Sequence, residues 1–364
     1  MRIAFRRYGA LAFFLGLPCT PAWADVAEGE PVAAIPAGLL TPSRVFAAAM
    51  PDGWSLSEPA LASGNGEASI PFATVYGPDE GHAVSSSPDA PPLDRSGHVP
   101  REFASHRGFV RQAGSIGTEV AILSAYVGAQ SVPKLFRPTA PFHFKNEGWF
   151  GKDTDNVGVD KLTHAFNTYL IAEILHYRLH RSTGASEGDA LTAGILAAGI
   201  MALNELSDGI EPDSGYSMQD ITMNVTGAAF SVLRNTVPGL KEKLAFKVEI
   251  VPNDQIYSRV GKEHYAQQRY MLSLKGAGFD ALDGTAFKYL DLQVGYYATD
   301  FLNNDRAAGI VPKRHVFVGV GLNLGELMFG RSRSRIGRAA YSVLDYIQIP
   351  YTSLRYDSTG RLGE

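Results

Sequence analysis

Cysteine is all but missing from this chain of 364 residues: Cys19 is the only one. A disulfide within the chain and a cysteine-based metal site are therefore excluded. An excess of basic charge is missing too. The formal net charge is -4, with 19% charged residues, which argues against nucleic acid, a partner that favours a basic stripe. The phosphate-binding loop ending in Gly-Lys-Ser/Thr and the His-Glu-x-x-His zinc signature are both absent.

What is present at the N-terminus reads as an export address. Arg2, Arg6 and Arg7 form a positive n-region, residues 10–17 a short apolar core, and Ala22-Trp23-Ala24 the small-x-small pattern of cleavage. The apolar run is too short to span a bilayer. Leu17-Pro18-Cys19 has the outline of a lipoprotein box, but proline just before the cysteine fits it poorly. Residues 1–24 are thus read as a signal peptide cleaved before Asp25, leaving a mature chain without a thiol. Residues 25–108, rich in Pro, Gly, Ser and Ala, read as a flexible leader. Its candidate elements are a short helix over 42–49 and an isolated strand over 70–76.

Residues 109–240 read as a helical domain. An apolar run over 118–132, stopped by Pro133, predicts a first helix. A connection containing Phe142, Phe144, Trp149 and Phe150 leads to a second helix over 159–181, where Leu162, Ala165, Phe166, Tyr169, Ala172 and Leu175 recur at helical spacing. Ser186 and Asp189 resemble a capping arrangement for a third helix over 190–206. That helix is apolar on every side, so it is expected to be buried in protein or in lipid, at the lower length limit for a membrane span. A fourth helix over 217–236 is ended by Pro238-Gly239.

Residues 241–364 change to a period of two. Leu244 to Ile250, Tyr270 to Leu274, Leu290 to Ala298 and Val316 to Leu324 alternate apolar with polar or small residues, predicting half-buried antiparallel strands. A less regular fifth run over 346–356 follows a helical insert over 336–346. Gly295, Gly319 and Gly321 fall on the faces opposite the apolar positions. In an exported protein this pattern also fits outer-membrane barrels, but five runs fall short of the roughly eight that a closed bacterial barrel needs. The expected fold class is α+β: a bundle of about four helices followed by an antiparallel sheet of four or five strands packed on it.

Most of the suggestive polar residues lie between Asp160 and Asn224, near helix ends. Asp160-Lys161-x-x-His164 opens the second helix, Glu205 and Asp208 close the third, and Ser217, Asp220 and Asn224 open the fourth. Groups three or four apart share a helix face. Asp160 suits the positive end of the helix dipole. Glu205 and Asp208 stand at the opposite end, and they need Lys161, a protonated His164 or a bound cation as compensation. Ser217 suits an N-cap, and Gly227 with Ala228 lets another helix approach closely. If the third helix runs antiparallel to the other two, His164, Glu205 and Asp220 converge within roughly 8 Å.

Three readings of that centre stay open. Asp160, His164, Glu205 and Asp208, with Asp220, offer ligands to a divalent metal such as zinc or manganese. His164, Glu205 and Asp220 could instead act as catalytic acid and base or recognise a ligand. With Lys161, Ser217, Asn224 and Gly227 they could also form a purely structural network. His176 and His180, beside Arg178 and Arg181, read as helix-end cations without a further role.

The ordered set of Trp149, Asp160-Lys161-x-x-His164, Glu205-x-x-Asp208-Gly209 and Ser217-x-x-Asp220-x-x-x-Asn224-x-x-Gly227 resembles the YfiM-like family of bacterial envelope proteins. The same order is similar to the VanZ-like membrane proteins, which usually carry glutamine and arginine where this chain has Asp208-Gly209 and an acidic loop. The resemblance implies an exported, envelope-associated helical domain, periplasmic and against the outer membrane, and it supplies no activity. Two functions follow as expectations: a structural or binding role around a buried acidic–histidine centre, or a metal-dependent or acid/base hydrolase of an envelope lipid or glycan. The expected partners are an envelope lipid, glycan or protein, with peripheral or partial membrane contact.

Overall fold

The computed structural model describes residues 108–136, 138–183, 188–252 and 261–363. The signal peptide, Cys19, the 42–49 helix, the 70–76 strand and the Ser186 cap all lie outside those residues.

Helices form where the apolar spacing calls for them. α1 (Phe109–Ser115) and α2 (Gly117–Leu135) are separated at Ile116, whose side chain is fully buried. α3 (Val159–Thr183), α4 (Asp189–Asp208) and α5 (Met218–Thr236) complete the bundle. Two expectations need correction. α2 does not stop before Pro133 but runs on to Leu135. α4 is entered through Gly188 at φ +79°, and Asp189 is already its first helical residue.

α4 is apolar on every side because other helices surround it. Ala193, Ala197, Ile200 and Met201 pack on Ile171, Leu175 and Leu179 of α3 and on Val127 of α2. By length and hydropathy it could cross a membrane, yet over half of that window is buried in the protein. α3 and α5 touch backbone to backbone at Gly227, where an added Cβ would collide with the Ala165 carbonyl.

The sheet is larger than expected and mixed. Its strands are β1 (Leu244–Ile250), β2 (Gln268–Lys275), β3 (Leu290–Thr299), β4 (Lys313–Leu322), β5 (Ile347–Gln348), β6 (Ser353–Asp357) and β7 (Leu362–Gly363). They are ordered β5-β1-β2-β3-β4-β6-β7, and only β1 with β5 is parallel. The irregular fifth run is two strands, one joining β1 and the other β4, so consecutive strands sit at opposite sides. That requires the sheet to curl. Lys247 of β1 reaches Asp291 of β3 at 2.6 Å, Arg355 of β6 pairs with Glu249 of β1, and Gln293 of β3 donates to Gln348 of β5 at 3.0 Å.

Curling also decides which face is inside, and the outcome reverses the expected packing. Phe246, Val248 and Tyr270 do face the helices, against Phe166 and Tyr169. Beyond them Leu272, Leu274, Leu292, Val294, Val316, Val318, Val320 and Leu322 are 40–54% exposed, whereas Ser273, Lys275, Asp291, Gln293 and His315 between them are 4% exposed or less, with Met271 and Phe317 the apolar side chains among them. The glycines on the inner face make room for this polar filling: a Cβ on Gly321 would strike the Gln293 amide, and one on Gly319 the Arg355 side chain.

A second buried network ties the bundle to the sheet. Arg234 of α5 is fully buried, donating to Tyr169 at 2.6 Å and to Glu173 at 3.2 Å on α3, and pairing with Asp345 after helix Arg335–Leu344. Burial raises the Glu173 carboxyl, but Lys241 and Arg234 overcome it and bring it down to about 2.

Candidate functional site

The bundle brings the three polar clusters together. α4 runs antiparallel to α3 and α5, so its C-terminal Glu205 meets the N-terminal turns that carry His164 and Asp220. One ligand atom from each of the three lies within 4.8 Å of the others. His164 Nδ1 is 3.3 Å from Glu205 Oε1 and 3.3 Å from Asn224 Oδ1, while its Nε2 is 3.8 Å from Asp220 Oδ1. Thr168 also donates to Asn224, at 2.9 Å, which fixes the amide.

Beside this group Lys161 draws three carboxylates together: Glu147 at 2.6 Å, Asp220 at 2.8 Å and Asp160 at 3.1 Å. Burial would lower the Lys161 ammonium, but Asp160, Asp220 and Glu147 hold it above its ordinary value, so it stays charged. Burial likewise raises Asp220, and the neighbouring His164 and Lys161 overcome that and lower it. Ser217 caps α5 by accepting from the Asp220 N–H at 3.3 Å. Gly227 provides the close approach already described, which sets the α3–α5 spacing under the centre.

Glu205 is the exception. Its side chain is 1% exposed, and neither carboxylate oxygen receives a hydrogen bond. Burial raises it to about 7; His164 pulls it down and Asp220 with Glu147 push it up. Asp208 stands apart, at the end of α4, accepting from Asn204 Nδ2 at 3.2 Å. The four residues expected to hold a metal are thus distributed: Asp160 belongs to the lysine cluster, His164 and Glu205 share the histidine cluster, and Asp208 joins neither.

Several participants escaped the sequence reading. Glu147 lies in the aromatic connection with no spacing signal. It reaches Lys161 because that connection docks on the α4–α5 loop through His143 N to Gly209 O and Tyr216 N to His143 O, each 2.9 Å, and through Phe144 against Tyr216. His176 and His180 are more than helix-end cations. They flank Asp189 at 3.3 and 3.1 Å, with burial raising the Asp189 carboxyl and the two imidazoles lowering it. A Gly-x-Ser-x-Gly pattern occupies positions 184–188. It lies largely outside the described residues, between α3 and α4 in the sequence, whereas a nucleophile elbow follows a strand.

Fold and site define an α+β protein with a closed polar centre. Residues 146–236 match the family model described as "Predicted periplasmic lipoprotein (DUF2279)", a family of unknown function. The matched segment is about a quarter of the chain and holds every group of the centre from Glu147 to Gly227. The chain is located in the periplasm. No curated protein and no solved structure matches it.

Proposed function

We propose that this protein has a structural or binding role in the cell envelope, and that its centre is a closed, proton-responsive lock holding the ends of α3, α4 and α5 together. The observation that carries this reading is Glu205, buried, without a hydrogen-bond donor and facing His164. Lys161 supplies one positive charge among Glu147, Asp160 and Asp220, whereas Glu205 has only His164 beside it, and a single proton neutralises that carboxyl. Enclosure also weighs against hydrolysis, since a lipid or glycan must reach a catalytic pair and Glu205 is 1% exposed.

The second reading, a divalent cation serving a hydrolase, draws on the convergence of His164, Glu205 and Asp220. Metal analysis of the purified protein, with and without Glu205→Gln, separates the two. Complementation of a deletion strain by His164→Gln and Glu205→Gln separates scaffold from enzyme. A scaffold tolerates both changes, and an enzyme keeps its fold and loses function with either. The YfiM-like resemblance agrees with this envelope role, and the VanZ-like one extends only to the motif order. The division into a signal peptide, leader, helical domain and β-rich region belongs to the same proposal. So does cleavage before Asp25 rather than acylation of Cys19.

A further inference from the structure

The sheet is built inside out. A sheet bathed in water on one face places its polar residues there and its aliphatic residues inside. Here the curl encloses the ion pairs and turns the aliphatic residues outward. Register aligns them in rows: Leu274, Leu292, Val320 and Leu354 lie side by side across four strands, and Leu272, Val294, Val318 and Tyr356 form the next row. All eight are at least 41% exposed. Met271 and Phe317 are the apolar exceptions on the inner face; polar inside and apolar outside is otherwise the arrangement of strands that face lipid.

We propose that the outward face of β2, β3, β4 and β6 enters the acyl layer of one bilayer leaflet, with the helical bundle standing in water beside it. The shape favours lipid over a second copy of the chain. This is the outer surface of a curl, and two convex surfaces meet only along a ridge, whereas acyl chains conform. The composition favours lipid as well: the rows carry aliphatic side chains with one tyrosine at the rim, lacking the hydrogen-bonding groups that set register in a protein interface. Charge adds a third argument. β4 leads into helix Leu324–Phe329, with Leu327 and Met328 exposed, and then into Arg331, Arg333, Arg335 and Arg338, all exposed around Ile336 at 83%. Arginines beside exposed apolar side chains suit anionic headgroups above an acyl layer. From the Leu290–Leu322 pair to the Tyr296–Val316 pair, the band runs six residues, about 20 Å along the strands. That falls short of the roughly 30 Å hydrocarbon core, so the face reaches into one leaflet and does not span.

The test is flotation with vesicles of phosphatidylethanolamine and phosphatidylglycerol. The protein is purified after export in a Cys19→Ser background, so that neither the signal peptide nor an acyl group contributes. The parent is expected to float. Val294→Asp with Val318→Asp, a directly paired and solvent-open couple, is expected to cut the floated fraction about tenfold or more while leaving the melting curve in place. If the aspartates prevent folding, Val294→Thr with Val318→Thr keeps the test alive, with a smaller loss expected. A parent that does not float, or a variant that floats equally well, overturns the proposal. So does a parent dimer that the variant converts to monomer without any flotation, which would give the face to a second copy. The inference rests on the envelope role proposed above but not on the lock. The pH dependence of the parent's melting reports the lock separately, so either reading can fail while the other stands.

Discussion

Glu205→Gln should make the protein more stable at pH 8 and leave it unchanged at pH 5. The Glu205 carboxyl sits at about 7 in the folded chain, against an ordinary 4.5, so the folded state binds its proton more tightly than the unfolded one. Its contribution is therefore complete below about 4.5 and is lost as the pH rises through 7. A gap of about 2.5 pH units corresponds to about 3 kcal/mol. Because the side chain is 1% exposed, solvent screening does little to reduce this. Glutamine keeps the shape and cannot ionise, so at pH 8 the variant should melt on the order of 10 °C above the parent, with the difference closing towards pH 5. Asp220 does not confuse the comparison. Its carboxyl is lowered, so the stability it contributes is lost only as the pH falls below the ordinary range for aspartate. Glu147 shifts in the same direction as Glu205, but it is present in both chains and cancels. The assay is thermal and urea unfolding of both chains at half-unit steps from pH 5 to 8. Parallel curves would refute the assignment of the proton to Glu205. A variant less stable than the parent at pH 8, with a chelator lowering the parent to the same level, would transfer the centre to a metal.

Arg234→Ala should cost about 3 kcal/mol in urea unfolding, near the low end for a broken buried pair because Lys241 and Lys275 still neutralise Glu173 and Asp345 at 3.0 and 2.6 Å. Gly227→Ala should cost roughly 1–3 kcal/mol by overpacking against the Ala165 carbonyl. Gly199→Ala on α4, where a Cβ meets nothing within 4 Å, should instead stabilise by about 0.5–1 kcal/mol; equal melting points for the two would show that α3 and α5 do not touch at Gly227. N-terminal sequencing of the exported chain should begin at or near Asp25, and a start at a lipid-modified Cys19 would replace cleavage there with an anchor.

Local chemistry made much of the helical half legible in advance. The stripe from Leu162 to Leu175 predicts α3 because 3.6-residue spacing admits one buried face, and Ser217 announces the start of α5 because an N-cap needs a side-chain acceptor. The antiparallel placement of α4 followed from short connections, and with it the meeting of His164, Glu205 and Asp220. Glu147, His176, His180 and Asp189 were not legible in the same way, because their partners come from loops or from another helix, and no spacing records such distances.

In the sheet, sequence alone determined the alternation and left its sense open. A period of two assigns Leu292 and Gln293 to opposite faces, and it holds equally whether leucine or glutamine points inward. The tertiary structure decided that question. The run over 346–356 divides into β5 and β6, which attach to opposite sides of the sheet and force the curl. The glycines at 319 and 321 let polar side chains fill the inside. Once Lys247, Asp291, Glu249 and Arg355 satisfy one another there, the aliphatic rows have only the outside left.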